Sequence, residues 1–346
     1  MKESIILKYI WLLSGNFMIA ILLAACNGSN IIPDNPDEEI EIIPKRSITF
    51  SLGTATRALP VTQLRGESFG VKAYILDNLW AAAGYNAKPD TDWNNVRIDC
   101  SDSGVCTYAP IQSLLDNKYY TFFGYYPYNT PGVTVSDANH ESTPYIEYRL
   151  SANDPTQHQD VMVASTFDCT ALNTGQVRMQ FSHILFCINI AVNNYRDEAI
   201  RLDNVICRFT SPLYSTYRIK MDKSEPDTGG TITNASYLMA SSVNVSNTSA
   251  TGAINITDAD RFLMLIPQRG LQGTISFDVT QGGQTTMKVV EFNDPDTEYR
   301  AGYRYTFTLY FVGDAIHLRI IRNNEWNDNN LSLIHISEPT RPLYIS

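Results

Sequence analysis

The chain has no excess of positive charge: 26 Lys and Arg stand against 36 Asp and Glu, a formal net charge of −10. Nucleic acid is held by clustered Lys and Arg, so a nucleic-acid partner has no electrostatic footprint here. Long amphipathic helices are missing as well. After Ala25 no extended stretch repeats apolar residues at i, i+3, i+4 and i+7, and a period of two prevails instead. Catalytic signatures are equally scarce. No GxSxG elbow, P-loop or GxGxxG stands in a strand-to-helix setting, and His140, His158, His183 and His317 are scattered without HExxH spacing. Asp258-Ala259-Asp260 and Asp294-Pro295-Asp296 lack the rest of a calcium loop and read as turn carboxylates. The expectation is therefore no enzyme, no cofactor and no metal site.

What is present begins at the first residue. Met1, Lys2 and Lys8 precede an apolar run from Tyr9 to Ala25, which ends in Leu23-Ala24-Ala25-Cys26. A basic start, an apolar core and small residues before the cut predict a secretory signal over residues 1–25. The final four residues match a bacterial lipobox, so Cys26 is expected to carry the lipid as a thioether. Several acyl tails at ~0.8 kcal/mol per buried methylene make a strong anchor to the outer membrane. Ser14-Gly15-Asn16 interrupts the apolar run and argues against a stable transmembrane span. Residues 26–46 then read as a tether: Pro33-Asp34-Asn35-Pro36-Asp37-Glu38-Glu39 is too polar to fold alone. Such an acidic stretch also resembles surface-export signals of Bacteroidota lipoproteins, although a plain solvated linker would look the same.

At the other end, residues 331–346 resemble the conceptual translation of a sequencing-library adapter, and such segments are excluded from fold reasoning. The readable native sequence is expected to stop near Asn330.

Between these ends, 20 Tyr and 14 Phe with many Thr, Val and Ile favour strands. Phe69, Val71, Ala73 and Ile75 share one face of a strand; Ile184, Phe186, Ile188, Ile190 and Val192 form another inward row. Ile275–Val279 turns at Gly282-Gly283 into Thr286–Val289, a hairpin pattern. Further strands are expected at 48–52, 119–126, 145–150, 161–166, 177–181, 200–209, 214–221, 262–266 and 303–311. The polar segments 222–235 and 241–251 read as surface excursions. Alternation with polar loops predicts an all-β chain of two tandem antiparallel β-sandwich domains, 47–174 and 175–330, divided near Asn173-Thr174-Gly175. The run Tyr119 to Tyr128 suits a strand buried on both faces better than a glycan platform.

Five cysteines follow Cys26, an odd number in a compartment that permits disulfides. Cys100 and Cys106 bracket the turn-like Ser101-Asp102-Ser103-Gly104-Val105, where a bridge would close a hairpin; Cys187 lies in an apolar run and reads as a small packed residue.

The order of these pieces resembles the fimbrillin family of Bacteroidales, pilins and pilin-like lipoproteins. The matching segments are the lipobox and acidic linker, Ile48–Leu52 leading to Ala55-Thr56-Arg57-Ala58, Phe69–Tyr74, Tyr119–Tyr128 and Asp160–Ser165. Val177–His183, Leu265-Ile266-Pro267-Gln268, Tyr299–Phe307 and Trp326 follow. The resemblance implies transthyretin-like sandwiches and a fimbrial subunit or pilin-like adhesin at the cell surface. It also implies assembly by donor-strand exchange with other pilin subunits. An arginine-specific protease would cut at Arg57–Ala58 (Arg46 and Arg65 compete), and the strand bearing Ile48, Phe50 and Leu52 would leave its groove. A host or bacterial surface ligand belongs to the same picture. A monomeric, glycan-binding β-sandwich lipoprotein is the alternative.

Overall fold

Where a chain alternates apolar and polar residues, extended backbone puts all the apolar ones on one face, and burying that face selects the strand. The computed structural model describes residues 47–52, 64–172 and 175–323. Its strands are β1 (Thr49–Leu52), β2 (Ser68–Leu76), β3 (Asn94–Cys100), β4 (Cys106–Thr107), β5 (Tyr119–Tyr126), β6 (Val133–Val135) and β7 (Tyr145–Arg149). β8 (Met162–Cys169), β9 (Gln176–Met179), β10 (Ser182–His183), β11 (Phe186–Asn194), β12 (Ile200–Phe209), β13 (Leu213–Lys220) and β14 (Asp227–Ile232) follow. The last are β15 (Ser236–Val245), β16 (Ile254–Asn255), β17 (Leu263–Leu265), β18 (Gln268–Gln281), β19 (Gln284–Tyr299), β20 (Arg304–Val312) and β21 (Ala315–Asn323). Helix among the described residues is confined to short pieces such as the single turn Trp80–Ala83.

Four sheets result. The first runs β10-β8-β5-β2-β3-β4-β1-β9, so β8 and β9, before and after residues 173–174, share one sheet. The second runs β16-β11-β20-β21 with β17 also on β11, and the third β15-β12-β18-β19. The fourth, β14-β13-β7-β6, joins strands far apart in sequence, Tyr217 opposite Tyr148. Most pairings are antiparallel, but β1 runs parallel to β9 and β11 parallel to β20. Neither pair can be joined by a tight hairpin, so local sequence signals do not reveal them.

Two apolar cores lie on either face of β5, whose six central residues are all buried. Phe122 faces the core that holds Ile48, Phe50, Trp93 and Met179; Phe123 faces a larger one with Tyr148, Ile188, Phe209 and Phe307. The aromatic run is thus a two-sided wall. Gly282 and Gly283, at φ 57° and 79°, form the two-residue turn between β18 and β19, with Gln281 opposite Gln284. Left-handed backbone at both turn positions matches the twist of the strands, and glycine adopts it freely.

Two segments expected as surface excursions are strands. β14 lies within 222–235 and pairs with β13 through Asp227–Ile232; none of its residues is buried, and backbone pairing at a sheet edge needs no apolar pattern. β15 carries the second excursion as far as Val245. A bulge opposite Val205/Ile206 breaks its alternation, so Met239 and Ala240 are buried in succession.

His158 ties the loop after β7 to β17: its Nδ1 accepts from the Met264 amide at 3.3 Å and its Nε2 donates to the Ser151 carbonyl at 3.0 Å. Burial holds its pKa down to about 4. Unfolded histidine titrates near ~6.5, so below that the unfolded chain binds the extra proton. Its contribution is therefore complete above about pH 6.5 and lost as pH falls towards 4, by roughly 3 kcal/mol at most. Urea titrations between these limits should show the decline, and His158→Gln should flatten it.

Candidate functional site

β1 is short, yet it is held on every side. With the residue before it, the strand alternates Ile48, Phe50 and Leu52 with Thr49 and Ser51, and the first three turn into the smaller core. Ile48 and Phe50 are 1% and 5% exposed; Leu52 is half-buried and Thr49 is exposed. Phe50 meets four rings edge-on, with centroids 6.1 Å from Phe69, 6.1 Å from Trp93, 5.6 Å from Tyr108 and 5.7 Å from Phe122. Edge-to-face contacts at these distances add to the area term. Burial of the three apolar side chains stabilises the seated strand by on the order of 5–8 kcal/mol.

The backbone is satisfied on both edges. Thr49, Phe50, Ser51 and Leu52 lie parallel to Gln176, Val177, Arg178 and Met179 of β9, while Phe50 pairs with Cys106 of β4. The Ile48 amide donates to the Gln112 carbonyl at 2.8 Å and the Thr49 amide to that of Gly175 at 3.0 Å. Tyr108 locks the entry: its hydroxyl donates to the Ile48 carbonyl at 3.0 Å and accepts from the Gln112 amide at 3.1 Å. Burial raises the Tyr108 pKa, so the phenol stays a donor. Without β1, β4 and β9 would present open edges around an apolar slot, the arrangement a strand of another chain can fill.

The frame around the slot is cross-braced. Cys100 and Cys106 are joined by a disulfide that ties β3 to β4, with Cα atoms 4.0 Å apart. Ser101 and Val105 close the intervening turn, the Ser101 amide donating to the Val105 carbonyl at 2.8 Å. At the outer face Asp99 accepts from Ser68 and Arg97, which hold its carboxyl below the usual range. Cys207 is packed inside the larger core, where burial pushes its thiol up, and Cys187 is buried as well.

Cys26, Arg46, Arg57 and Ala58 lie outside the described residues. Their neighbours do not: Leu52 and Leu64, which bracket Arg57, both pack into the smaller core. Arg65 sits in a tight turn, Glu67 donating back to the Leu64 carbonyl at 3.3 Å. Sequence reasoning missed Trp93, Tyr108 and Gln112. They come from segments without alternation, and only the folded chain brings them to β1.

The remaining candidate groups are engaged structurally. His183 is buried with Nδ1 2.7 Å from Asp160. Asp258 accepts from the Ser241 amide and pairs with Arg261, and Asp294 accepts from the Tyr299 hydroxyl. Among the described residues no group of three or more His, Cys, Asp or Glu could hold a metal ion.

A family model described as fimbrillin-like matches residues 56–322. The chain belongs to the fimbrillin-like family. This fimbrillin-like chain is similar in fold to a fimbrial protein from Bacteroides vulgatus, at a TM-score of 0.64 and 20% identity over 80% of this chain and 98% of that one. A putative cell adhesion protein from Bacteroides uniformis aligns over 81% of this chain and 99% of its own, at 15% identity and a TM-score of 0.48. Comparison with curated protein sequences gave no match.

Proposed function

We propose that this chain is a fimbrial subunit or pilin-like adhesin of the cell surface, exported as a lipoprotein on Cys26 and assembled by protease-triggered strand exchange. The observation that carries the reading is the seat of β1: a short N-terminal strand fills an apolar slot between β4 and β9. Family membership and the fimbrial relative from Bacteroides vulgatus agree with it.

The position of the cut decides whether β1 can leave. A cut after Arg46 precedes β1 and leaves it joined to β2; a cut at Arg57–Ala58 follows β1 and removes its only covalent link to the frame. Arg65 also follows β1, but its tight turn fits a protease cleft poorly, because proteases bind extended backbone. Arg57 is thus the productive site. The freed strand takes the lipid on Cys26 with it, so lipidation delivers the subunit to the outer membrane and does not anchor it afterwards. Other pilin subunits supply the replacing strand, and a host or bacterial surface ligand is met by the assembled fimbria.

The test is limited digestion of the mature chain with an arginine-specific protease, followed by a labelled peptide carrying the 47–52 sequence. The expected result is one cut between Leu52 and Leu64, uptake of the peptide only after that cut, and SDS-resistant ladders among subunits. A cut chain that neither takes up peptide nor associates, while binding polysaccharide as a monomer, would overturn the proposal in favour of the glycan-binding reading.

A further inference from the structure

β3 enters the first sheet through a bulge. Val71 pairs with Val96 and Lys72 with Asn94, leaving Asn95 as the extra residue at φ 68°. Bulges re-aim side chains. This one turns the Asn95 carboxamide towards Tyr125, whose hydroxyl donates to its Oδ1 at 2.6 Å, and Asn129, and sets Asn94 against Lys72. Lys72 is 2% exposed, in the middle of the sheet opposite Phe123 on β5, and its Nζ donates to Asn94 Oδ1.

A buried ammonium is ordinarily matched by a carboxylate in contact. Here the contact is a neutral carboxamide, and the charge that acts on the amine is that of Asp137, an exposed residue on the loop after β6. Burial outweighs that charge and holds the Lys72 pKa down to about 8. About one amine in ten is then neutral at pH 7, and a neutral amine is a nucleophile. The amine and the amide carbon it could attack are held together permanently, which replaces a bimolecular encounter by a unimolecular one.

We propose that Lys72 and Asn94 condense into an intramolecular isopeptide bond linking β2 to β3. The neutral Nζ attacks Cγ of Asn94, a new Nζ–Cγ bond forms, and the Cγ–Nδ2 bond breaks. The proton shed by Nζ passes through the Asp137 carboxylate to Nδ2, which departs as ammonia. Nothing is oxidised or reduced, and no co-reactant is consumed. The consequence is mechanical. β3 is then tied at its first residue, Asn94, to β2 and at its last, Cys100, to β4. Three strands of the frame stay covalently closed whether or not β1 is seated.

Mass spectrometry of the folded mature chain tests this directly. After reduction, the intact mass should fall short of the sequence mass by one ammonia, and a chymotryptic digest should contain one branched species joining the Lys72 and Asn94 peptides. Trypsin should fail to cut after Lys72. Asn94→Asp should lose water in place of ammonia, and Lys72→Met should restore two separate peptides. Recovery of separate peptides with intact Lys72 and Asn94 from the folded, unsubstituted chain would overturn the proposal whatever the variants do.

Discussion

Phe50→Ala should lower stability by about 3–5 kcal/mol, because a buried ring is removed and its slot cannot collapse onto the space. The slot walls are Phe69, Trp93, Tyr108 and Phe122, all on strands or loops already fixed by other contacts. Folded domains are stable by only ~5–15 kcal/mol, so the loss is large. It should also be local. Urea denaturation gives the magnitude, and hydrogen exchange gives the place: amides of β2, β3 and β5 should lose protection while those of β11 and β20 keep theirs. In the chain cut after Arg57, the same change should speed loss of the N-terminal peptide by roughly a hundredfold to a few thousandfold, since each 1.4 kcal/mol is a factor of ten. Unchanged stability in Phe50→Ala would mean that β1 does not seat as described.

Tyr305→Ala should cost a comparable 3–5 kcal/mol in the other core. The ring is fully buried, 4.5 Å from Tyr299 and 5.6 Å from Phe186 between centroids. Its hydroxyl also holds the bend between β19 and β20, donating to the Glu298 carbonyl at 3.1 Å and accepting from the Arg300 amide at 3.0 Å. Tyr305→Phe separates the two roles: it keeps the ring and loses the hydroxyl, so about 1–3 kcal/mol is expected. Thermal and urea unfolding of the two variants measure the difference. Equal losses would place the whole effect in the bend.

Strand existence was largely legible along the chain. β5 matches the expected 119–126 to the residue, and the Gly282-Gly283 turn stands where the alternation predicts it. Both signals are local, a run of aromatics and a pair of residues suited to left-handed backbone. β14 and β15 were not legible, because an edge strand of polar residues and a bulged strand each lack strict alternation. The candidate site divides in the same way. Ile48, Phe50 and Leu52 declare themselves by period two; Tyr108 and Trp93 have no pattern that assigns them to β1. The Lys72–Asn94 contact was equally hidden, since a single extra residue, Asn95, decides which carboxamide faces the amine.

Composition and order alone therefore determined the absence of long helices among the described residues, their strand-rich character and the kinship of the chain's motifs. These depend on side-chain periodicity and on residue types, which a linear reading retains. Only the tertiary structure decided that β1 lies parallel to β9 and not beside its sequence neighbour, and that β7 and β13 build one sheet from distant parts of the chain. Such pairings join residues more than sixty positions apart. They are selected by which faces bury best together, a property of the packed cores that no window of sequence contains.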